Sequence, residues 1–437
     1  MLGDIKQKLQ DCGVVGAGGA GFPSYAKLSD GAEFLILNCA ECEPLLKLHR
    51  QLLKVESLKI ISMLSELGKA LGVKKCIIGI KSAYKSTLEA IEPIVRQFDN
   101  VEIKTLPEVY PAGDEVVLIY QTTGRVVPAG GLPIQVGVIV YNVETVYNAY
   151  RALHENAPVT TKLVTVTAEV AKPMTVRVPI GTPISELIKH CGGATVENPV
   201  LVSGGAMMGK LVTMGDVVTK TTNAILVLPE DHPVVRSKRR RPAIDAKRAA
   251  SSCCQCRMCS DLCPRRLLGH PIDPARFMNA IAHRDARDTE AYLNAQYCSG
   301  CGLCESYACM QGLSPRVLLD LAKSELKAGG IKPERKDPAP VMNARESRLA
   351  PVERLTARLG LSKYEVAAPL SGEMDVACVR VPLSMHIGAP AVAAVGVGDI
   401  VRKGDVIGKP AQGLSVAIHA PIDGKVTLVG KEIIIEK

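Results

Sequence analysis

The sequence has no tryptophan, only four phenylalanines, and aromatic residues fill 3% of its 437 positions. Surfaces that grip unpaired bases need such rings for stacking, so nucleic acid is not an expected partner. No run of 18 apolar residues occurs. The longest candidate, Ile387 to Val401, is broken by Pro390, three glycines and Asp399, so no transmembrane segment is predicted. The opening stretch MLGDIKQKLQ lacks the apolar core of a secretory leader. A cytoplasmic, reducing compartment is expected, where cysteines serve as ligands rather than disulfides.

What is present is cysteine, fifteen in all, nine of them between Cys253 and Cys309. Cys253, Cys256, Cys259 and Cys263 follow C-x2-C-x2-C-x3-C and precede Pro264. Cys298, Cys301, Cys304 and Cys309 repeat the theme with one extra residue before the last ligand. That is the ligand spacing of two-cluster bacterial ferredoxins, in which the fourth cysteine of each run crosses to the other cluster. The expected quartets are Cys253, Cys256, Cys259 with Cys309, and Cys298, Cys301, Cys304 with Cys263, each holding a [4Fe–4S] cluster. Structural zinc uses two separated pairs and fits this spacing poorly. Cys254 reads as a spectator.

The net charge is +9, and much of the excess lies in Arg236, Lys238, Arg239, Arg240, Arg241, Lys247 and Arg248. This run reads as a solvated linker whose charge faces the anionic clusters or an anionic partner. Upstream, Leu2, Ile5 and Leu9 predict a short amphipathic helix packed on its own domain. The glycine-rich run from Gly16 through Gly18, Gly19 and Gly21 contains G-x-G-x-x-G, but no strand precedes it. Its physical use is close approach of backbone to a phosphate or flat ring. Apolar strands at Phe34–Leu37, Cys76–Ile80, Val101–Ile103 and Val138–Tyr141 alternate with helices near Leu45–Leu71, Thr87–Val95 and Glu115–Gln121, which predicts a largely parallel sheet. Ligands sit at the carboxyl ends of such strands. Asn38-Cys-Ala-Glu41-Cys-Glu43-Pro44 and Asn142-Val-Glu144-Thr145 fall at those ends, and Ala112-Gly113-Asp114-Glu115 opens a helix. Asp114 and Thr145 could equally be helix caps, and Cys39 and Cys42 read as pocket wall.

These motifs carry a resemblance. GAGGAGFPSYAKL, NCAECEP, YPAGDE and YNVET resemble the flavoprotein, NADH-binding subunit of respiratory complex I. AECEP and the Thr123–Pro133 stretch resemble RnfC of the membrane Rnf complex more closely. The resemblance implies noncovalent FMN held by Gly16, Gly18, Gly19, Lys27, Asn38, Glu41, Glu43, Gly113, Asp114, Glu115, Asn142 and Thr145, with Lys27 opposite the phosphate. The complex I flavoprotein has an acidic residue where this chain has Ala40. Residues 161–229 resemble the soluble-ligand-binding β-grasp (SLBB) domain of both families, with a helix capped by Thr182 and a Gly204–Gly209 loop read as a turn. The stretch from Val366 resembles the barrel-sandwich hybrid domain of RnfC, displaced to the C-terminus. The phrases Ala368–Gly372 and Ala420–Gly424 suggest pseudo-symmetry there. No lysine occupies the turn near Gly413–Ile418, so a docking module is expected rather than a swinging-arm carrier. His386 and His419 read as packing residues.

The expected fold is a multidomain α/β chain. It comprises a Rossmann-like FMN/NADH-binding domain (1–158), a β-grasp domain (159–232), a basic linker (233–250), an α-helical two-[4Fe–4S] ferredoxin-like domain (251–328), a linker (329–363) and a C-terminal barrel-sandwich hybrid (364–437). As a whole the chain resembles the cobalamin reductases of propanediol-utilisation bacterial microcompartments. That resemblance implies electron transfer from NADH through FMN and two clusters to cob(III)alamin or cob(II)alamin. It also implies a corrinoid adenosyltransferase and a microcompartment shell protein as partners. No residue beyond the cofactor ligands is expected to be catalytic. The rival expectation is an Rnf-like relay protein that oxidises no NADH itself.

Overall fold

The structure is a computed structural model and describes residues 2–437. Its first third is built on strands apolar on both faces, which only a sheet covered on both sides can bury. Phe34–Cys39 (β1), Lys75–Lys81 (β2) and Val101–Leu106 (β3) precede a short strand Val109–Tyr110 (β4) and then Val138–Asn142 (β5). The main sheet runs β3-β2-β1-β5, all parallel. Helices Leu2–Asp11 (α1), Ser24–Lys27 (α2), Leu48–Val55 (α3), Ser57–Leu71 (α4), Lys85–Val95 (α5), Glu115–Thr123 (α6) and Val143–His154 (α7) surround it. The helical stretch expected from Leu45 is two helices. Leu45 lies outside both in the left-handed region, at φ 71°, and the chain breaks at Glu56. Asn38 and Asn142 are register partners at the carboxyl ends of β1 and β5, so two functional motifs meet at one mouth.

The β-grasp module contributes Thr161–Ala168 (β6), Met174–Pro179 (β7), helix Ile184–His190 (α8), Pro199–Ser203 (β8), Lys210–Val212 (β9) and Ala224–Pro229 (β10). Thr182 does not cap α8: its hydroxyl donates to the Pro179 carbonyl at 2.7 Å and closes the turn leaving β7. The basic run is also not a solvated linker. It folds into Pro233–Lys238 (α9) and Pro242–Ser252 (α10), burying Val234, Val235 and Ala249. Lys238 donates to the Gly209 carbonyl at 2.6 Å, and Arg240 to the Gly312 carbonyl at 2.7 Å. These cations satisfy turn carbonyls and so tie the β-grasp module to the cysteine-rich one.

Helices Met258–Asp261 (α11), Pro264–Leu267 (α12), Pro274–His283 (α13), Thr289–Leu293 (α14) and Pro315–Ala328 (α15) form the cysteine-rich module. Phe277, Met278, Leu313, Leu318 and Leu319 fill its centre. Residues 329–363, expected as a linker, are stitched down. Lys336 and Ala129 exchange two backbone hydrogen bonds of 2.9 Å, Ala350–Pro351 (β11) pairs with β4, and Val352–Arg358 (α16) follows.

Leu370–Glu373 (β12) joins the β-grasp sheet, parallel to β7, while Ala420–Gly424 leads into the C-terminal sandwich. The two similar phrases therefore belong to different sheets. The sandwich comprises Cys378–Pro382 (β13), Val392–Ala393 (β14), Ile400–Val401 (β15), Val406–Lys409 (β16), Ile418–His419 (β17), Gly424–Val429 (β18) and Glu432–Glu436 (β19). It pairs as β13-β19-β18-β15 and β14-β16-β17. The turn before β17 docks on the first module. Ala417 donates its N–H to the Gln10 carbonyl, and buried Lys220 donates to the carbonyls of Gly13 and Ala417 at 2.7 and 3.2 Å.

His419 sits at this junction, its pKa pulled down to about 4 by burial and by the charge of Lys220. The unfolded chain therefore takes a proton near pH 6.5 that the folded chain refuses until about pH 4. Stability present above that window is lost as pH falls through it. In denaturant titrations, His419→Gln should flatten this decline by about one proton, roughly 1.4 kcal/mol per pH unit; an unchanged slope would contradict the placement.

Candidate functional site

A cavity of about 590 Å³ opens at the carboxyl ends of β1 and β5. Its size suits an organic cofactor, for which sites run from about 300 to 1,000 Å³. The glycine run forms one wall. Gly16 takes a backbone bond from its N–H to the Phe22 carbonyl, and Ala17 N–H donates to Thr145 Oγ1 at 2.9 Å. Gly19 has φ 73°, and a Cβ there would meet nothing within 4 Å, so its peptide is bare toward the cavity. A Cβ on Gly18 would stand 3.1 Å from the Asn223 amide nitrogen and 3.4 Å from that of Asn142. Two amide donors thus flank an exposed glycine backbone, the chemistry a phosphate or a flat ring requires. These residues fit FMN.

Ten of the twelve predicted cofactor residues line this space: Gly16, Gly18, Gly19, Lys27, Asn38, Glu41, Glu43, Gly113, Glu115 and Asn142. Lys27 is the one lysine or arginine in the lining among the described residues, with Nζ 3.1 Å from the Val140 carbonyl and 3.5 Å from Glu115. Asn38 accepts from Ala40 N–H and donates to the Gly113 carbonyl, both at 3.0 Å, fixing the opposite wall. The other two stand behind the wall. Asp114 caps α6, accepting from the N–H groups of Val116 and Val117, and pairs with Arg265 at 2.8 Å. Thr145 is buried under the glycine loop, where its hydroxyl is spent on Ala17.

The two buried glutamates are also committed. Glu41 accepts the N–H groups of His49 and Arg50 at 2.9 and 3.2 Å, acting as a remote cap for α3. Glu43 accepts those of Met207 and Met208 at 2.9 and 2.8 Å, so the Gly204–Gly209 turn is clamped to the cavity. Burial pushes both carboxyls upward, opposed by these N–H donors. Cys42 lines the cavity with its thiol raised to about 12 by burial, whereas Cys39 lies in the core behind it.

Two contributors, His49 and Asn223, have no motif, and a third, Tyr110, heads YPAGDE without being among the predicted site residues. His49 lines the cavity, 3.1 Å from Asn142 Nδ2, and burial pulls its pKa down to about 3. Asn142 Oδ1 caps α7, so its amide nitrogen is the donor and His49 Nε2 accepts as a neutral imidazole. Asn223 accepts from Lys162 at 2.8 Å, and Lys162 is ion-paired with buried Glu144. Tyr110 reaches from β4 to the Cys301 carbonyl at 2.7 Å.

The cysteines fall into two groups. Cys253, Cys256, Cys259 and Cys309 surround a small hollow beside α11. Burial lifts Cys259 to about 12, with the charges of Cys309, Cys253 and Cys256 adding to it. Cys263, Cys298, Cys301 and Cys304 form the second group. Cys304 is pushed well up by burial, then by Glu305 and the three other thiols. Four crowded thiolates repel one another, which iron cations relieve. Backbone N–H groups of Gly300 and Leu313 donate to the sulfurs of Cys298 and Cys309 at 3.3 Å, one means of setting cluster potential. The second group is buried or half-buried, whereas Cys256 is exposed.

A cofactor cavity backed by two four-cysteine groups defines a flavin- and iron–sulfur-dependent oxidoreductase. Family models agree module by module: the Nuo51 FMN-binding domain over residues 9–151, the SLBB domain over 163–211, a 4Fe-4S dicluster domain over 252–314 and the RnfC barrel sandwich hybrid domain over 363–437. The chain is 41% identical over 437 residues to cobalamin reductase PduS of Salmonella typhimurium, covering 99% of this chain and 96% of that protein. It is 39% identical to the Citrobacter freundii protein of the same name, covering 98% and 95%. The C subunit of the ion-translocating oxidoreductase complex of Edwardsiella ictaluri is 33% identical over 60% of this chain and 32% of its own. The chain belongs to the PduS cobalamin reductase family.

Removing the lone cavity cation tests the site directly. Lys27→Met should weaken FMN binding about 10- to 100-fold, the worth of one charge-assisted hydrogen bond, read from flavin fluorescence on dilution. Equal retention by variant and parent would place the phosphate elsewhere.

Proposed function

We propose that this chain takes electron pairs from NADH at the cavity and delivers them singly through the two cysteine quartets to cob(III)alamin or cob(II)alamin. FMN supplies conversion of a hydride pair into single electrons, and each [4Fe–4S] cluster carries one. The observation that carries this reading is one shared wall. Gly113 lines the cavity, while Tyr110 and Asp114, on either side of it, bind Cys301 and Arg265 of the cysteine-rich module. A cofactor held by the glycine loop, Asn38, Asn142, Asn223 and Lys27 would lie on one side of this wall, with the Cys263, Cys298, Cys301 and Cys304 quartet on the other. Burial of that quartet shields it from water, and the more exposed quartet of Cys253, Cys256, Cys259 and Cys309, in which Cys256 reaches the surface, becomes the outlet.

Glu41 and Glu43 are committed to the N–H groups of α3 and of the Gly204–Gly209 turn, and Glu115 faces Lys27 at 3.5 Å. Asp114 and Thr145 act, on the same reading, as positioning residues for the FMN contacts. The modules correspond to 1–158, 159–232, 251–328 and 364–437, with 233–250 and 329–363 as packed connectors. Among the described residues, no helix is long and apolar enough to cross a membrane. The similarity to PduS supports residence in a propanediol-utilisation microcompartment, a corrinoid adenosyltransferase as the recipient of reduced cobalamin, and contact with a shell protein.

Anaerobic titration with NADH should bleach the flavin, and cobalamin added afterwards should be reduced. Cys301→Ser should leave bleaching intact and lower cobalamin reduction at least tenfold. Absence of bleaching in the parent chain would instead support a relay protein that oxidises no NADH.

A further inference from the structure

Electrons leave, under the proposed function, at the exposed quartet, and the surface at that point has its own character. The hollow among Cys253, Cys256, Cys259 and Cys309 measures about 30 Å³. Ligand sites for organic molecules are at least tenfold larger. What surrounds the thiols is side chains that project. Met310, next to Cys309, is 71% exposed. Arg358 lays its guanidinium 3.5 Å from the Met310 sulfur and 3.3 Å from the Cys309 carbonyl. Arg257 lines the hollow from the other side with its side chain 61% exposed. Arg248, on the helix leading into Cys253, is 46% exposed.

The acids beneath this rim do not cancel it. Asp245 is 3% exposed in its side chain and already lies within 4 Å of Arg240 as well as Arg248. Asp273 is 19% exposed; it is paired most closely with Arg266 at 2.9 Å, lies 3.8 Å from the Arg257 guanidinium and accepts from Ser260. Both carboxylates are largely buried, while the side chains of Arg248 and Arg257 keep 46% and 61% of their surface exposed. A flexible thioether between exposed arginines is the composition of a protein-binding hot spot, since methionine and arginine are enriched there and acids depleted.

We propose that the face formed by Met310, Arg257, Arg358 and Arg248 over the exposed quartet is a docking site for an acidic-surfaced electron-acceptor protein. Met310 enters the centre of the contact and the arginines pair with carboxylates at its rim. Steering by opposite charge brings the partner's redox centre over the most exposed thiols in this chain's relay. One electron then passes from the reduced cluster to the partner's oxidised centre, with no bond made or broken. This rests on the electron outlet assigned under the proposed function.

The test uses the full anaerobic holoprotein reduced with NADH, with cytochrome b5 as an acidic probe, cytochrome c as a basic one and ferricyanide as a small anion. Stopped-flow rates for cytochrome b5 should fall about tenfold from low to physiological salt, while those for cytochrome c stay level or rise. Arg257→Glu with Arg358→Glu should cut the cytochrome b5 rate about tenfold at low salt and raise the cytochrome c rate. The milder Arg257→Gln with Arg358→Gln should give an intermediate loss with iron content unchanged. Met310→Ala should slow cytochrome b5 severalfold without altering its salt slope, and leave ferricyanide unaffected. Equal behaviour of the two cytochromes, or arginine variants indistinguishable from the parent, would overturn the docking face. Ferricyanide and cytochrome b5 losing rate in parallel in every variant would show a small-anion site and overturn it too. Flavin bleaching in the same samples separates the two levels: without bleaching the proposed function fails, and with bleaching but no charge dependence only the docking face fails.

Discussion

The stretch from Val109 to Glu115 is the constraint on which the rest of the molecule turns. It is a single wall with a cofactor cavity on one side and a buried cysteine quartet on the other. Tyr110 donates to the Cys301 carbonyl, Asp114 pairs with Arg265, and Gly113 between them faces the cavity. A Cβ at Gly113 would lie 2.3 Å from the Ala40 carbonyl, so only glycine lets this wall approach the first strand so closely. Electron transfer depends on the separation of donor and acceptor, and here the wall sets that separation.

The remaining modules hold the wall still. The β-grasp turn clamps Glu43 through Met207 and Met208, and Lys238 ties the same turn to the basic helices. Ala350–Pro351 pairs with the wall strand Val109–Tyr110 itself, and Lys336 pairs with Ala129 of the same module. The C-terminal sandwich contributes β12 to the β-grasp sheet and docks its turn on Gln10 and Gly13 through Lys220. At two of these joints lysines, buried Lys220 and half-buried Lys238, donate to backbone carbonyls. They are costly to bury and lose their partners if a joint opens, which favours the assembled arrangement over partial ones.

Much of this was legible in the residues. Cysteine spacing follows cluster geometry, so the gathering of eight thiols into two groups was legible before the fold. The alternation of apolar strands and helices pointed to the parallel sheet, and the motifs at Asn38 and Asn142 fell at strand ends as that topology requires. Side-chain commitments were not legible. Asp114 and Thr145 carry the right chemistry but spend it on a helix cap and a loop N–H, a choice made by packing. His49 and Asn223 sit in no recognisable motif, and Tyr110 opens YPAGDE with no role that the motif reveals; each matters because another segment meets it. The stretches 233–250 and 329–363 read as linkers because their composition is basic and proline-rich. Their lysines and arginines instead satisfy carbonyls on neighbouring modules, a pairing that composition does not encode.

The central claim is the order of the two quartets, buried first and exposed last. Rapid-freeze EPR after anaerobic mixing with NADH tests it, with Cys256→Ser used to assign the signal of the exposed quartet by its loss. The signal of Cys263, Cys298, Cys301 and Cys304 should rise first and that of the exposed quartet should follow. The exposed quartet reduced first, or reduced normally when the buried one is removed, would contradict that order.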